Sequence, residues 1–412
     1  MTIHPSAPPR SRVGQCANAR RPAAHTTSTP MTLALRLLGL LIAALLPFAA
    51  SAADEPAPAA AAASGIPARC AEPGTDRAVN AMCARGYVRH SEAAHAAGHD
   101  DVASSDLAKA DQFAPDDLRI AVARAVLRLS RQGPGSPERL RQALRDTPDD
   151  IGVNVLHAQM SLSGRKYDDA IADASHVIAL RPGAAAAYEL RATARFAKSD
   201  IDGATADVNK ALELAPKSPD GLRLRASVTT VSGRYADALA DLELAHRLEP
   251  RADDPFLIGG TQFLARQFRS SAASLAKPSG DAGDGSYWLL WRYMALARAD
   301  GTEVARGVLG PGSIAGYPAP WPTPVIDFYL GRTDSAQVLD AARAAQAGDD
   351  QSQVCEAHFY LGEDALLHFR RDEALDLFRK TIKECPAAFH EYVGAQAELA
   401  AAAAQDAAVA VH

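Results

Sequence analysis

Aromatic side chains are scarce in this 412-residue chain, at 6%, and a formal charge of −6 comes with no basic stripe. The first shortage leaves packing to alanine and leucine. The second argues against nucleic acid as the main partner, because neutralising phosphates takes clustered Lys and Arg. The local signatures of common catalysis are also missing: the sequence contains no G-x-x-x-x-G-K-[ST], H-E-x-x-H, G-x-S-x-G or C-x-x-C. The glycines of "GPGS" and "GDGS" stand alone, so no phosphate cradle is expected. No catalytic residue, cofactor or small-molecule substrate is therefore anticipated. With 48% hydrophobic and 22% charged residues, the chain can still bury a large core, and its length allows two or three domains.

Cysteine is sparse too, five in all. Residues 31–52, "MTLALRLLGLLIAALLPFAASA", carry one cation, Arg36, then an apolar run from Leu37 to Ala50 and the small triplet Ala50-Ser51-Ala52. That is the layout of a secretory signal peptide, and the run is too short to span a bilayer comfortably. Export to the periplasm of a Gram-negative bacterium is expected. Residues 1–30 read as a disordered extension, or as untranslated if synthesis begins at Met31; residues 53–75 read as an Ala/Pro-rich linker. Cleavage removes Cys16 and leaves Cys70, Cys83, Cys355 and Cys385, an even set that reads as disulfides. No cysteine follows the cleavage site, so no lipid anchor is expected.

The chain has a period. Prolines that close helical segments fall at Pro115, Pro148, Pro182, Pro216 and Pro250, spaced by 33, 34, 34 and 34 residues. Aligned on them, Ala158, Ala192 and Ala226 coincide, as do Ala170, Ala204 and Ala238, and Tyr167, Ile201 and Tyr235. A helical hairpin needs small residues where its helices cross closely and a bulky one to wedge the turn. Proline then ends the second helix. One such hairpin cannot cover its own apolar face, but stacked neighbours can.

The stretches "AYELRATARFAKSDIDGATADVNKALELAP" and "GLRLRASVTTVSGRYADALADLELAHRLEP" resemble the tetratricopeptide repeat family, a tandem 34-residue helix-turn-helix unit. The resemblance implies an all-α solenoid over residues 76–283, about six repeats, with residues 254–275 a degenerate sixth unit. The period is lost over residues 284–350, where a Trp-rich helix and a Pro/Gly-rich loop stand. It returns over residues 351–402 as a final repeat and capping helix, followed by a tail, 403–412. The order of "LLWRYMALAR", "WPTPVIDFYLG", "FYLGE" and "HEYVGAQAEL" is similar to that of NlpI-type bacterial envelope lipoproteins, across roughly residues 152–400. That resemblance implies a non-enzymatic adaptor that docks envelope proteases or peptidoglycan hydrolases. This chain departs from it by lacking the lipidated cysteine and by carrying extra N-terminal repeats.

Within a helical hairpin the first helix begins where the second finishes, so Cys355 and Cys385 are expected to meet, which leaves Cys70 to Cys83. A charge pattern repeats as well. Arg191 and Arg225 share one position, with His157 before them, and Asp173, Asp207 and Asp241 share another. Since Asp173 precedes Arg191 by 18 residues and Asp207 precedes Arg225 likewise, an ion-pair ladder between successive repeats is expected. The nearest approach to a metal site is "HSEAAHAAGHDD", with His90, His95 and His99, which reads better as an exposed polar face.

The resemblance places first-helix positions on the inward face, here Gln159, Glu189, Thr193, Phe196, Arg223, Ser227 and Thr230. They form a candidate groove for a protein partner and lack the Lys/Asn cluster that grips a C-terminal carboxylate. Trp288, Trp291, Tyr293, Tyr317 and Trp321 either pack under the long loop or form a second interaction surface. The resulting expectation is a periplasmic scaffold or adaptor. A periplasmic assembly chaperone, for example in cytochrome maturation, is the competing reading.

Overall fold

The structure is a computed structural model and describes residues 66–67, 70–131, 137–276, 285–310, 321–345 and 352–410. The signal-like segment, most of the linker, Tyr317 and the last two residues lie outside the described residues. Within these there are nineteen α-helices and no strand. They are α1 (Arg77–Ala96), α2 (Asp100–Phe113), α3 (Leu118–Ser130), α4 (Pro137–Asp146), α5 (Ile151–Ser163), α6 (Tyr167–Leu180), α7 (Ala185–Ala197), α8 (Ile201–Leu214), α9 (Pro219–Val231) and α10 (Tyr235–Leu248). There follow α11 (Asp254–Leu264), α12 (Phe268–Ser274), α13 (Gly285–Asp300), α14 (Thr302–Arg306), α15 (Thr323–Tyr329), α16 (Ser335–Ala345), α17 (Ser352–Leu367), α18 (Arg371–Glu384) and α19 (His390–Ala410). Paired as hairpins and stacked in order, they make an all-α solenoid of helical repeats.

The alanine columns explain the pairing. Ala158, Ala192, Ala170, Ala204 and Ala238 are fully buried and Ala226 nearly so, because each sits where two helices approach too closely for a larger side chain. Gly152 marks the tightest approach: a Cβ there would lie 2.0 Å from the Ala121 carbonyl oxygen on α3. Helices α6, α8 and α10 stop two residues before Pro182, Pro216 and Pro250, where the residue ahead of each proline is pushed out of helical conformation. New helices start on capping side chains, with Asp150 accepting from the Val153 N–H, Asp200 from Gly203 and Ser218 from Gly221.

The charge ladder runs within repeats, not between them. Asp207 accepts from Arg191 at 2.7 and 2.8 Å and Asp241 accepts from Arg225 at 2.7 Å twice, while His157 meets Asp173 at 2.6 Å. Each pair spans 16 residues, the step from a first helix across to the second helix of the same hairpin. Burial of the alanine crossings brings these helices together, so the nearest opposite charge lies in the same unit. His90 and Asp106, at 2.5 Å and the same 16-residue step, extend the register to the first hairpin. One strand of the link does cross repeats: Arg191 Nη1 donates to Ser175 Oγ at 3.1 Å.

Beyond α12 the core changes character. Trp288, Trp291, Tyr293 and Trp321 are buried together with Phe256, Phe359 and Phe378, and Tyr293 stacks on Tyr329 with ring centroids 4.4 Å apart. These four aromatics therefore pack the core and present no interaction surface. Where the repeat register lapses, small-residue crossings no longer fill the space, and the few large rings do. Buried carboxylates tie this part together. Glu356 accepts from Tyr287 at 2.5 Å and Trp321 at 2.7 Å, and Arg298 bridges Glu363 at 3.0 Å and Glu398 at 3.2 Å. The disulfides are Cys70–Cys83 and Cys355–Cys385, with Cα atoms 5.4 and 5.3 Å apart.

Candidate binding cavity

Four of the seven inward-face residues meet at one cavity. Phe196 on α7 and Arg223, Ser227 and Thr230 on α9 line a space of about 180 Å³. Leu257, Thr261 and Leu264 of α11 form a further wall, and Arg165, Arg251 and Asp253 bring charge. The last wall is not part of the solenoid's repeated face. Pro386, Ala388 and Phe389 from the connection into α19, with His390 and Val393 from its first turn, lie against it, and Ala388 packs on the apolar core of the middle repeats. This segment lies across the cavity from the inward-face residues Phe196, Arg223, Ser227 and Thr230.

Arg223 dominates the polar side. It is buried, with Nε donating to Asp254 Oδ1 at 2.6 Å and Nη2 to Asp254 Oδ2 at 2.9 Å and to the Glu249 carbonyl. Its Nη1 is buried without a hydrogen-bond partner, an arrangement that costs free energy until an acceptor fills it. Burial works to raise the Asp254 pKa, but Arg223, the Arg251 N–H and His246 together bring it below the usual carboxylate value. Burial raises that of Asp253. At the apolar end His390 packs against Phe256 and Trp291 with centroids 5.7 and 5.9 Å apart, and its Nδ1 has no partner. Burial alone pushes its pKa down to about 4, so the ring is neutral at physiological pH.

The remaining three inward-face residues are buried between helices and do not line the cavity. Glu189 accepts from Ser218 Oγ at 2.6 Å, and that serine caps α9, so the carboxylate anchors the next repeat. Burial pushes Glu189 up to about 7. Thr193 Oγ1 donates back to the Glu189 carbonyl at 2.8 Å, and Gln159 is buried on α5. The histidines of "HSEAAHAAGHDD" do not converge: His90 pairs with Asp106, His95 pairs with Asp100 at 2.6 Å, and His99 precedes α2. Among the described residues no group of three His, Cys, Asp or Glu side chains is placed to hold a metal ion.

Sequence reasoning missed Phe389 and His390, which belong to the cap and reach the cavity only because the chain folds back. It also missed Phe369, which is 96% exposed and has φ of 60°. The equivalent turns hold Arg165, Ser199, Gly233 and Arg266, all at positive φ, so this repeat position imposes a left-handed residue and one unit fills it with an aromatic ring. A bulky residue there is strained.

No protein-family model matches the sequence, and no curated protein is similar to it. Solved structures similar to parts of the chain include pilF of Pseudomonas aeruginosa, at 16% identity and TM-score 0.34, covering 48% of this chain and 90% of that one. A tetratricopeptide repeat protein of Thermus thermophilus has 15% identity and TM-score 0.31, covering 52% and 98%. Another, of Parabacteroides merdae, has 10% identity and TM-score 0.36, covering 76% and 98%. These likenesses are weak, and the fold rests on the helix pairing described above.

Proposed function

We propose that the chain is an exported, non-enzymatic scaffold that holds a folded protein partner, an envelope protease or a peptidoglycan hydrolase, in the periplasm. The observation that carries this reading is Phe369. A fully exposed aromatic ring, held at a backbone conformation that disfavours it, persists in a protein when something other than folding requires it. Phenylalanine, with Tyr and Trp, is also enriched at protein interfaces relative to the rest of the surface. Support for export comes from the signal-like segment and from two disulfides, which last in oxidising compartments. The cap segment across the first helices favours docking at such an outer turn over an extended peptide in the groove.

The test is a photo-crosslinking phenylalanine analogue placed at position 369 in cells, with adducts identified by mass spectrometry. A folded envelope hydrolase is the expected adduct, and Phe369→Ala should abolish its co-purification without lowering Tm. Adducts made only of unfolded, newly exported proteins would favour the assembly-chaperone reading. No adduct at 369, with one at another site, would overturn the assignment of this surface.

A further inference from the structure

A cluster of buried charges lies where the last helix meets the body. Glu398 on α19 accepts from Arg266 Nη1 on both oxygens, at 3.1 Å each, and from Arg298 Nη2 at 3.2 and 3.3 Å. Arg298 Nη1 donates to Glu363 of α17 at 3.0 Å, and both guanidiniums lie over the Phe268 ring, Arg266 at 5.5 Å and Arg298 at 4.9 Å from its centroid. The Glu363 side chain is fully buried, and its Oε1 has no hydrogen-bond partner. Two carboxylates that share a guanidinium do not ionise independently, and the one with fewer donors and less water holds its proton longer. Here that one is Glu363, which burial and the neighbouring Glu398 push up to about 8 against Arg298 and Arg266. The phenols around the cluster carry no compensating charge: burial pushes Tyr293 of α13 up to about 12, and raises Tyr329 of α15 and Tyr235 of α10 as well. Asp364, next on α17, is engaged by His368 at 3.2 Å and Arg370 at 2.6 Å.

The two ends of α19 are held unequally. Its start is fixed by the Cys355–Cys385 bridge, by buried Phe389 and Val393, and by Glu391, which accepts from Tyr360 at 2.8 Å. Glu398 is the last buried side chain among the described residues. Past it residues 403–409 are exposed, and the Arg371–Asp406 pair, at 2.6 Å, is open to water and so holds weakly. We propose that this cluster is a pH-operated latch: the half of α19 that carries Glu398 detaches from α13 and α17 as pH rises, while the disulfide-held start stays in place. Detachment lets water reach Glu363, whose proton then passes to solvent; closing takes it back. The closed form thus binds a proton that the open form releases, so opening becomes easier from about pH 4.5 upward and levels off above about 8. The latch does not depend on the assignment of Phe369.

Hydrogen exchange read by mass spectrometry on the full disulfide-bonded chain, corrected for the intrinsic pH dependence of exchange, tests it. Protection of residues 395–402 should fall about tenfold per pH unit from about pH 5.5 to about 7.5, the slope for one proton released, and flatten above about pH 8. At about pH 7.5 these residues should be at least about tenfold less protected than α5–α9, since they open locally. Glu363→Gln keeps the size of the protonated acid and should leave 395–402 independent of pH. If that variant does not fold, the profile of the unaltered chain and Glu398→Gln decide the matter; the latter removes the charge that raises Glu363 and should move the levelling point to lower pH. The proposal is overturned if protection of 395–402 does not fall with pH, if Glu363→Gln shows the same fall, or if Glu398→Gln leaves the levelling point unmoved. It is equally overturned if 395–402 and α5–α9 are equally protected, because the opening would then be global unfolding.

Discussion

The pairing of Asp207 separates two arrangements of the same charges. Spacing along the sequence couples it to Arg225 of the next repeat, whereas the structure places it against Arg191 and Arg195 of its own, at 2.7 and 2.8 Å. The Asp207 side chain is 5% exposed, and those of Arg191 and Arg195 are 18% and 25% exposed. Breaking a fully buried pair from one side costs about 3 to 5 kcal/mol. Water still reaches both arginines, so Asp207→Ala is expected to cost about 2 to 3 kcal/mol. The Arg191–Asp207 contact is bidentate and charged on both sides, which sets its coupling at about 1.5 kcal/mol. The Asp207–Arg225 coupling should stay within about 0.5 kcal/mol of zero, as for sites that share no contact. Two double-mutant cycles, Arg191→Ala with Asp207→Ala and Arg225→Ala with Asp207→Ala, would measure both by urea unfolding with the disulfides intact. A larger coupling in the second cycle than in the first would refute the within-repeat register.

Stability should also respond to pH from both sides. Burial, reinforced by Glu398 and opposed by Arg298, pushes Glu363 up to about 8 from 4.5. The folded chain then keeps a proton the unfolded chain releases, so this contribution is complete below about pH 4.5 and is lost as pH rises to about 8; Glu363→Gln should remove that alkaline loss in a pH series of unfolding curves. His390, pushed down to about 4 from 6.5, acts oppositely: its contribution is complete above pH 6.5 and is lost as pH falls toward 4, a loss His390→Leu should flatten. Replacing Cys355 and Cys385 by serine should cost about 3.5 kcal/mol and replacing Cys70 and Cys83 about 3 kcal/mol, the longer loop mattering slightly more, as read by denaturant midpoints. Phe369→Gly should raise Tm, relieving about 1 kcal/mol of left-handed strain, while weakening partner capture.

How much of this was legible in the sequence follows from the distance over which each feature is encoded. The hairpins were, because a crossing alanine, a wedging Tyr or Ile and a closing proline recur every 34 residues and each acts on its nearest neighbours. The ladder was legible in its members but not in its pairing. A 16-residue step and an 18-residue step are equally visible as spacings, and only the depth of the Ala192 and Ala204 crossing, both fully buried, decides which charges meet. Phe369 was hidden for another reason: its exposure depends on the turn conformation, which Arg165 and Ser199 disguise by being ordinary turn residues.

The cavity was the least legible, since Arg223 and His390 come together only through the way the chain folds back after its last repeat. The cysteines show how that return is arranged. Cys385 follows α18 directly, bonded to Cys355 in the first turn of α17, and Pro386 comes next. Proline cannot continue the helix, so the chain leaves the last hairpin at a point fixed by the disulfide and passes straight onto the first-helix face. Within eight residues it has delivered Ala388, Phe389, His390 and Val393 to the cavity wall. A bridge that reads in the sequence as a staple for one repeat thus also sets where the cavity is closed, and loosening it should displace Phe389 and His390 from the cavity wall before it unfolds the repeats upstream.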